Sequence, residues 1–106
     1  MDFECADITK VVLPAIRAST AQIMIQKYGY KQQDIARELG VAQVAVSKYL
    51  NGRYSAKVAR MKDYITKEEL NGEIIRRMLN NDNQEKINKA VNDLCALLLR
   101  SGKMVS

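Results

Sequence analysis

Five side chains between residues 43 and 51 recur at intervals of three and four, so a helix would present them on one face. They are Gln43, Val44, Ser47, Lys48 and Asn51. This face carries amide, hydroxyl and ammonium groups beside one valine, and it holds no carboxylate. Groups of these kinds hydrogen-bond to base edges and phosphates, and a valine can contact a thymine methyl group. The pattern predicts a helix whose outward face suits a DNA major groove.

No other set of residues indicates catalysis or metal binding. The sequence has no histidine, the commonest general base and metal ligand. Asp34 and Glu38 lie four residues apart, but the neighbouring Lys31 and Arg37 favour a solvated surface. A glycine-rich phosphate loop, a Cys-x-x-Cys pair and a nucleophile elbow are all lacking. We therefore expect no catalytic residues, no metal site, no cofactor and no enzyme activity.

Residues 32–52 predict the two short helices that would hold this face outward. The first helix would bury apolar residues at helical spacing, namely Ile35, Ala36 and Leu39. Gly40 can adopt the positive φ at which a helix ends sharply. The second helix would turn three residues inward, namely Val46, Tyr49 and Leu50. Asn51-Gly52 would end it.

This segment of about 21 residues resembles the helix-turn-helix of the Cro/C1/Xre-type repressor family. The matching features are the glutamine that starts the first helix, Ala36, Gly40, aliphatic residues at 35, 41 and 46, and the closing Asn51-Gly52. The resemblance implies an all-α, lambda-repressor-like fold and a recognition helix at about 42–50. Residues 12–18 are also similar to a group of archaeal predicted transcriptional regulators.

The resemblance also implies roles for single residues. Residues at the positions of Gln43, Val44, Ser47 and Lys48 commonly meet bases or phosphates in that family. A residue at the position of Gln32 typically binds a phosphate or braces the recognition-helix glutamine. Ala42 stands where many relatives carry a capping Ser or Thr, and the lost cap costs about 1 kcal/mol.

Two further basic residues follow the recognition helix, in a stretch that would pass the DNA backbone. Arg53 precedes a helix that Ser55 could cap, and Lys57 lies in the first turn of that helix. Backbone N–H groups at such a helix start can also bind phosphate. The alternative interpretation is an ordinary loop with solvated charges.

The positive charge of the chain is concentrated around this motif. The net charge is +5, yet residues 10–62 alone hold ten basic and two acidic residues. Residues 1–9 carry three carboxylates before the first basic residue, and residues 63–106 are balanced. A polyanion such as double-stranded DNA is the natural partner of such a distribution, although a merely solvated basic face would look similar.

The flanking sequence predicts a compact helical domain of about five helices. Pro14 suits the first turn of a helix that starts near Leu13, after a short helical turn, and ends at Gly29. Thr66 and Glu69 form a capping box for a helix over 67–80. A last helix, with Asp82 and Glu85 as its cap, would run over 83–100 and end at Gly102.

The last helix carries an apolar stripe whose steps of four, three and four are those of a coiled-coil seam. The stripe consists of Ile87, Val91, Leu94 and Leu98. It either completes the core of its own chain or pairs with a second copy, and we expect a homodimer with these residues at its interface. Within a single domain of residues 1–106, residues 1–65 would then form the DNA-binding core and residues 66–106 a dimerisation extension.

A different class of function is also open, namely an antitoxin-like or coactivator-type adaptor whose last helix binds another protein. The sequence indicates no small-molecule effector. It shows no apolar run that could span a membrane, and we expect a cytoplasmic protein with Cys5 and Cys95 reduced.

Overall fold

Six α-helices and a short π-helical segment make up the part of the chain that the structure, a computed structural model, describes: residues 8–101. The segment Ile8–Val12 is followed by α1 (Leu13–Tyr28), α2 (Gln32–Leu39), α3 (Gln43–Leu50), α4 (Ala56–Lys67), α5 (Gly72–Leu79) and α6 (Gln84–Ser101). These residues contain no strand, so the predicted all-α class is confirmed. The expectations for Cys5 and Gly102 lie outside the described residues.

Helix α1 is the central element, and the other helices pack around it. Pro14 lies in its first turn, as predicted, where the fixed φ of proline suits a helix and its missing N–H removes a donor that a helix start leaves unpaired. Small residues such as Ala15, Ala18 and Ala21 are fully buried along the helix, which lets its neighbours approach closely. Gly29 ends α1 in the left-handed conformation with φ +68°, as predicted.

Four helices end through the same backbone motif. One residue after the helix adopts the left-handed conformation, and the N–H of the residue that follows it donates to the carbonyl five positions before that donor. The left-handed residues are Gly40 after α2, Gly52 after α3, Glu69 after α4 and Asn81 after α5. The corresponding bonds are Val41 to Ala36, Arg53 to Lys48, Leu70 to Ile65 and Asp82 to Arg77, at 2.9–3.0 Å. Two of these ends use a residue with a side chain, which sequence alone did not indicate.

The predicted capping box at Thr66 and Glu69 is wrong. Thr66 lies in the last turn of α4, and its hydroxyl donates to the carbonyl of Lys62 at 2.9 Å. Such a bond to the preceding turn satisfies a threonine inside a helix, so Thr66 does not start a new one. Helix α5 therefore covers Gly72–Leu79 rather than 67–80.

The cap of the last helix also differs from the prediction. Asn83 Oδ1 accepts a hydrogen bond from the backbone N–H of Lys86 at 2.9 Å. Asp82, which we expected to cap this helix with Glu85, instead accepts from the side chain of Asn80 at 2.9 Å. The start of α6 is thus set by an asparagine one residue later.

The apolar stripe of α6 lies in the core of its own chain. Ile87, Val91, Leu94 and Leu98 are only 0%, 3%, 6% and 1% exposed. Helix α6 packs on α5, α2, α1 and the π-helical segment, and all four residues belong to the hydrophobic core. The structure therefore corrects the predicted dimer interface, because these four side chains offer no free face to a second copy.

Candidate nucleic-acid interface

Helices α2 and α3 form a helix-turn-helix around a tight corner. Gly40 adopts φ +70°, and the N–H of Val41 bonds the carbonyl of Ala36 at 3.0 Å. The predicted inward residues of α2 are all buried, and so is Val46 of α3. Tyr49 and Leu50, also expected to face inward, are partly buried. The corner places α3 across the end of α2 with its other face free.

The outward face of α3 carries the five side chains found by spacing. Gln43, Lys48 and Asn51 are exposed, and Val44 is 63% exposed. Ser47 is partly exposed, and its hydroxyl oxygen accepts a hydrogen bond from Asn51 Nδ2 at 3.4 Å. An exposed valine side chain does not stabilise the fold by burial, whereas its methyl groups suit contact with an apolar group such as a thymine methyl.

The first turn of α3 has no side-chain cap. Ala42 is extended, with φ −71° and ψ 147°, and only its carbonyl enters the helix, accepting from Ala45 at 3.0 Å. Val46, in the first turn of α3, is fully buried, so packing holds this helix end in place of a cap. The leading N–H groups of α3 and the positive end of its dipole favour an anion such as phosphate.

Polar and basic residues flank α3 along the chain on both sides. Gln32 is the first residue of α2 and is partly exposed. Arg53, just after α3, and Lys57, in the first turn of α4, are exposed. The start of α4 is as predicted, because Ser55 Oγ accepts from the N–H of Val58 at 3.2 Å.

One exposed cation of this surface was missed from the sequence. Lys31 immediately precedes α2 in an extended conformation and is exposed beside Gln32. The sequence feature that could have identified Lys31 is its position directly before Gln32, the glutamine that starts α2.

The two carboxylates among residues 10–62 both lie on α2 and are partly compensated. Asp34 pairs with Arg37 at 3.2 Å. Glu38 has one buried carboxylate oxygen without a hydrogen-bond partner, and burial raises the pKa of this residue. The charge of Arg37 opposes that rise in pKa, and Asp34 adds to it. The surroundings of α3 therefore remain strongly positive.

A model of the helix-turn-helix family matches residues 22–66, from the middle of α1 to the last turn of α4. This match supports the resemblance of residues 32–52 to the Cro/C1-type helix-turn-helix family, whose members bind DNA and regulate transcription. Comparison with curated proteins gave no significant match, and neither did comparison with solved structures.

Within residues 8–101, no three histidine, cysteine or acidic side chains are grouped so that they could hold a metal ion. None of the helices in this range is long and apolar enough to cross a membrane.

Proposed function

We propose that this protein is a sequence-specific transcriptional regulator that binds an inverted-repeat operator as a homodimer. The observation that carries the proposal is the outward face of α3, where exposed donors and acceptors surround a valine that is 63% exposed. The absence of any carboxylate on this face supports contact with a polyanion.

Each residue of the face has a role in this proposal. Gln43 binds an adenine edge or a neighbouring phosphate, and Val44 contacts a thymine methyl group. Asn51 holds Ser47 in place through its hydrogen bond and borders the same groove. The remaining positions bind phosphates and set the register of the helix on the duplex, namely Gln32, Ser47, Lys48, Arg53 and Lys57.

The length of α3 supports binding as a dimer. Its eight residues span about 12 Å, which corresponds to only three or four base pairs. So few base pairs cannot define a rare site, whereas two copies related by a two-fold axis read two half-sites about one helical turn apart. The dimer would use a surface other than the buried stripe of α6. Among the described residues, Tyr28, Leu79 and Leu97 are large apolar side chains exposed outside α3.

The adaptor alternative rested on a free apolar stripe along the last helix. Because that stripe is buried in its own chain, no specific observation now favours it over DNA binding.

The deciding experiment is selection from a randomised duplex pool at about 150 mM salt, followed by sequencing of the bound DNA. We expect enrichment of an inverted repeat whose half-sites are about one helical turn apart. The mass of the complex in sedimentation should then equal one duplex and two chains. Enrichment of no sequence, together with binding that disappears at this salt concentration, would contradict the proposal.

A further inference from the structure

The start of α6 lies directly against the corner of the helix-turn-helix. Gln84 Nε2 donates a hydrogen bond to the backbone carbonyl of Arg37 at 2.7 Å, across 47 residues of sequence. The side-chain amide of Gln84 also contacts the turn, because a Cβ placed on Gly40 would lie only 3.1 Å from it. One side chain from outside the family-matched segment thus touches both the end of α2 and the turn itself.

The carbonyl that Gln84 binds belongs to the end of a helix. The last carbonyls of an α-helix have no partner within the helix and need another donor. From the backbone of the described residues, the carbonyl of Arg37 accepts one long bond, 3.3 Å, from the N–H of Gly40. The shorter bond from Gln84 completes the cap of α2 with a donor from a distant part of the chain.

Gln84 is held in place from two sides. Asn83 caps the first turn of α6, and Arg77 of α5 donates to the carbonyl of Lys86 at 2.6 Å. Arg77 is itself held by Glu73 at 2.8 Å. Ile87, one turn further along α6, is fully buried. Gln84 therefore lies on a helix start that is fixed by hydrogen bonds and by packing.

Helix α3 packs on both α1 and α2, and the corner at Gly40 sets how it joins α2. It has no side-chain cap, and Val46 is its one fully buried side chain. Only residues 40–42 separate it from α2. We infer that Gln84 is a positioning residue for DNA recognition, which fixes the corner at Gly40 and hence the orientation of the recognition helix. Its effect on DNA affinity rests on the proposed function, whereas its effect on the corner does not.

The test uses the full chain with Gln84→Met, which keeps the length of the side chain and removes the donor. Asn92→Met is the control, because Asn92 is exposed on the same helix and the change is also neutral in charge. Hydrogen exchange at the N–H of Val41, which bonds across the corner, is measured well below the unfolding temperature. We expect this exchange to accelerate about three- to tenfold in Gln84→Met and to stay unchanged in Asn92→Met.

The second measurement is affinity for the selected operator and for random DNA. We expect operator affinity to fall about three- to tenfold in Gln84→Met, with unchanged affinity for random DNA and an unchanged salt slope. A merely stabilising role would leave operator affinity unchanged at a temperature where both variants are folded. Wild-type exchange at Val41 in Gln84→Met would overturn the inference even if no operator were found. Wild-type operator affinity in that variant would overturn it while leaving the proposed function intact.

Discussion

The side-chain amide of Asn71 donates a hydrogen bond to the hydroxyl of Ser19 at 3.1 Å, and both residues are buried. The same amide donates to Thr20 Oγ1 at 3.1 Å. Ser19 in turn donates to Thr66 Oγ1 at 2.6 Å, because the proton of Thr66 is given to the carbonyl of Lys62. This polar network joins α1 to the connection between α4 and α5, and it fixes where that connection sits.

Replacing Asn71 with leucine should lower the free energy of unfolding by about 1–3 kcal/mol, because buried hydroxyl groups of α1 lose their donor. Urea unfolding measures the change. Asn92→Leu, at an exposed position, should shift stability by no more than about 0.5 kcal/mol. Equal effects of the two substitutions would show that the network contributes nothing specific.

The local features of this fold were readable in the sequence. Pro14 and Gly29 bounded α1, and Gly40 and Gly52 ended α2 and α3, because proline and glycine act through their own backbone conformations. The outward face of α3 followed from helical spacing for the same local reason. Burial agreed with the prediction for the inward residues of α2 and for Val46, whereas Tyr49 and Leu50 are only partly buried.

Features that depend on distant contacts were not readable. Asn71 meets its partners on α1 across about 50 residues, so nothing near Thr66 showed that α4 continues to Lys67. An apolar stripe such as that of α6 looks the same whether its own chain or a second copy covers it. The contact of Gln84 with the corner likewise depends on how α6 packs.

Glu69 gives a prediction about backbone strain. It adopts φ +54°, a left-handed conformation that costs a residue with a side chain roughly 1 kcal/mol or more relative to glycine. Glu69→Gly should therefore raise the free energy of unfolding by about 1 kcal/mol. The neighbouring Glu68 has φ −88°, so Glu68→Gly should bring no gain. Thermal unfolding of both variants separates the relief of backbone strain from the loss of a carboxylate. A gain in stability in Glu68→Gly alone would contradict the strain at Glu69.

Gly40 and Gly52 form a matched pair that isolates the contact with Gln84. Their φ values are +70° and +69°, but a Cβ on Gly40 would meet the Gln84 side chain at 3.1 Å, whereas a Cβ on Gly52 would meet nothing within 4 Å. Both alanine substitutions should cost about 1–2 kcal/mol in backbone strain. Gly40→Ala should cost about 0.5–1.5 kcal/mol more, because Gln84 must move and lose its bond to Arg37.

A double-mutant cycle checks the origin of that difference. In a Gln84→Ala background the extra cost of Gly40→Ala over Gly52→Ala in urea unfolding should disappear. If it persisted, the cost would come from the backbone of the corner and not from Gln84.

Glu38 predicts a dependence of stability on pH. Burial raises its pKa from the ordinary value of 4.5, so the folded protein binds this proton more tightly than the unfolded chain. Its contribution to stability is therefore fully present below pH 4.5 and is lost as pH rises through the raised pKa. Glu38→Gln removes this loss and should stabilise the protein near neutral pH by a few tenths to about 1 kcal/mol.

The measurement is the difference in unfolding free energy between Glu38→Gln and wild type, followed from about pH 4 to about pH 7. This difference should grow in favour of the variant as pH rises. Asn92→Leu, an exposed change on α6 that alters no titratable group, should show a flat difference. A difference for Glu38→Gln that shrinks with rising pH would have the wrong sign for a raised pKa.

The two ends of the recognition face should respond differently to truncation. Gln43 at the start of α3 is proposed to read a base, so Gln43→Ala should weaken operator binding by about 1–3 kcal/mol and relax sequence preference. Lys48 is proposed to bind phosphate, so Lys48→Ala should weaken binding to operator and random DNA alike and reduce the salt slope by about one. Both residues are exposed, so both variants should keep wild-type stability, which circular dichroism verifies. Titrations of both duplexes at several salt concentrations separate the two roles, since a base contact changes the ratio of the two affinities and a phosphate contact does not. If Gln43→Ala lost equal affinity for operator and random DNA, Gln43 would not contact a base.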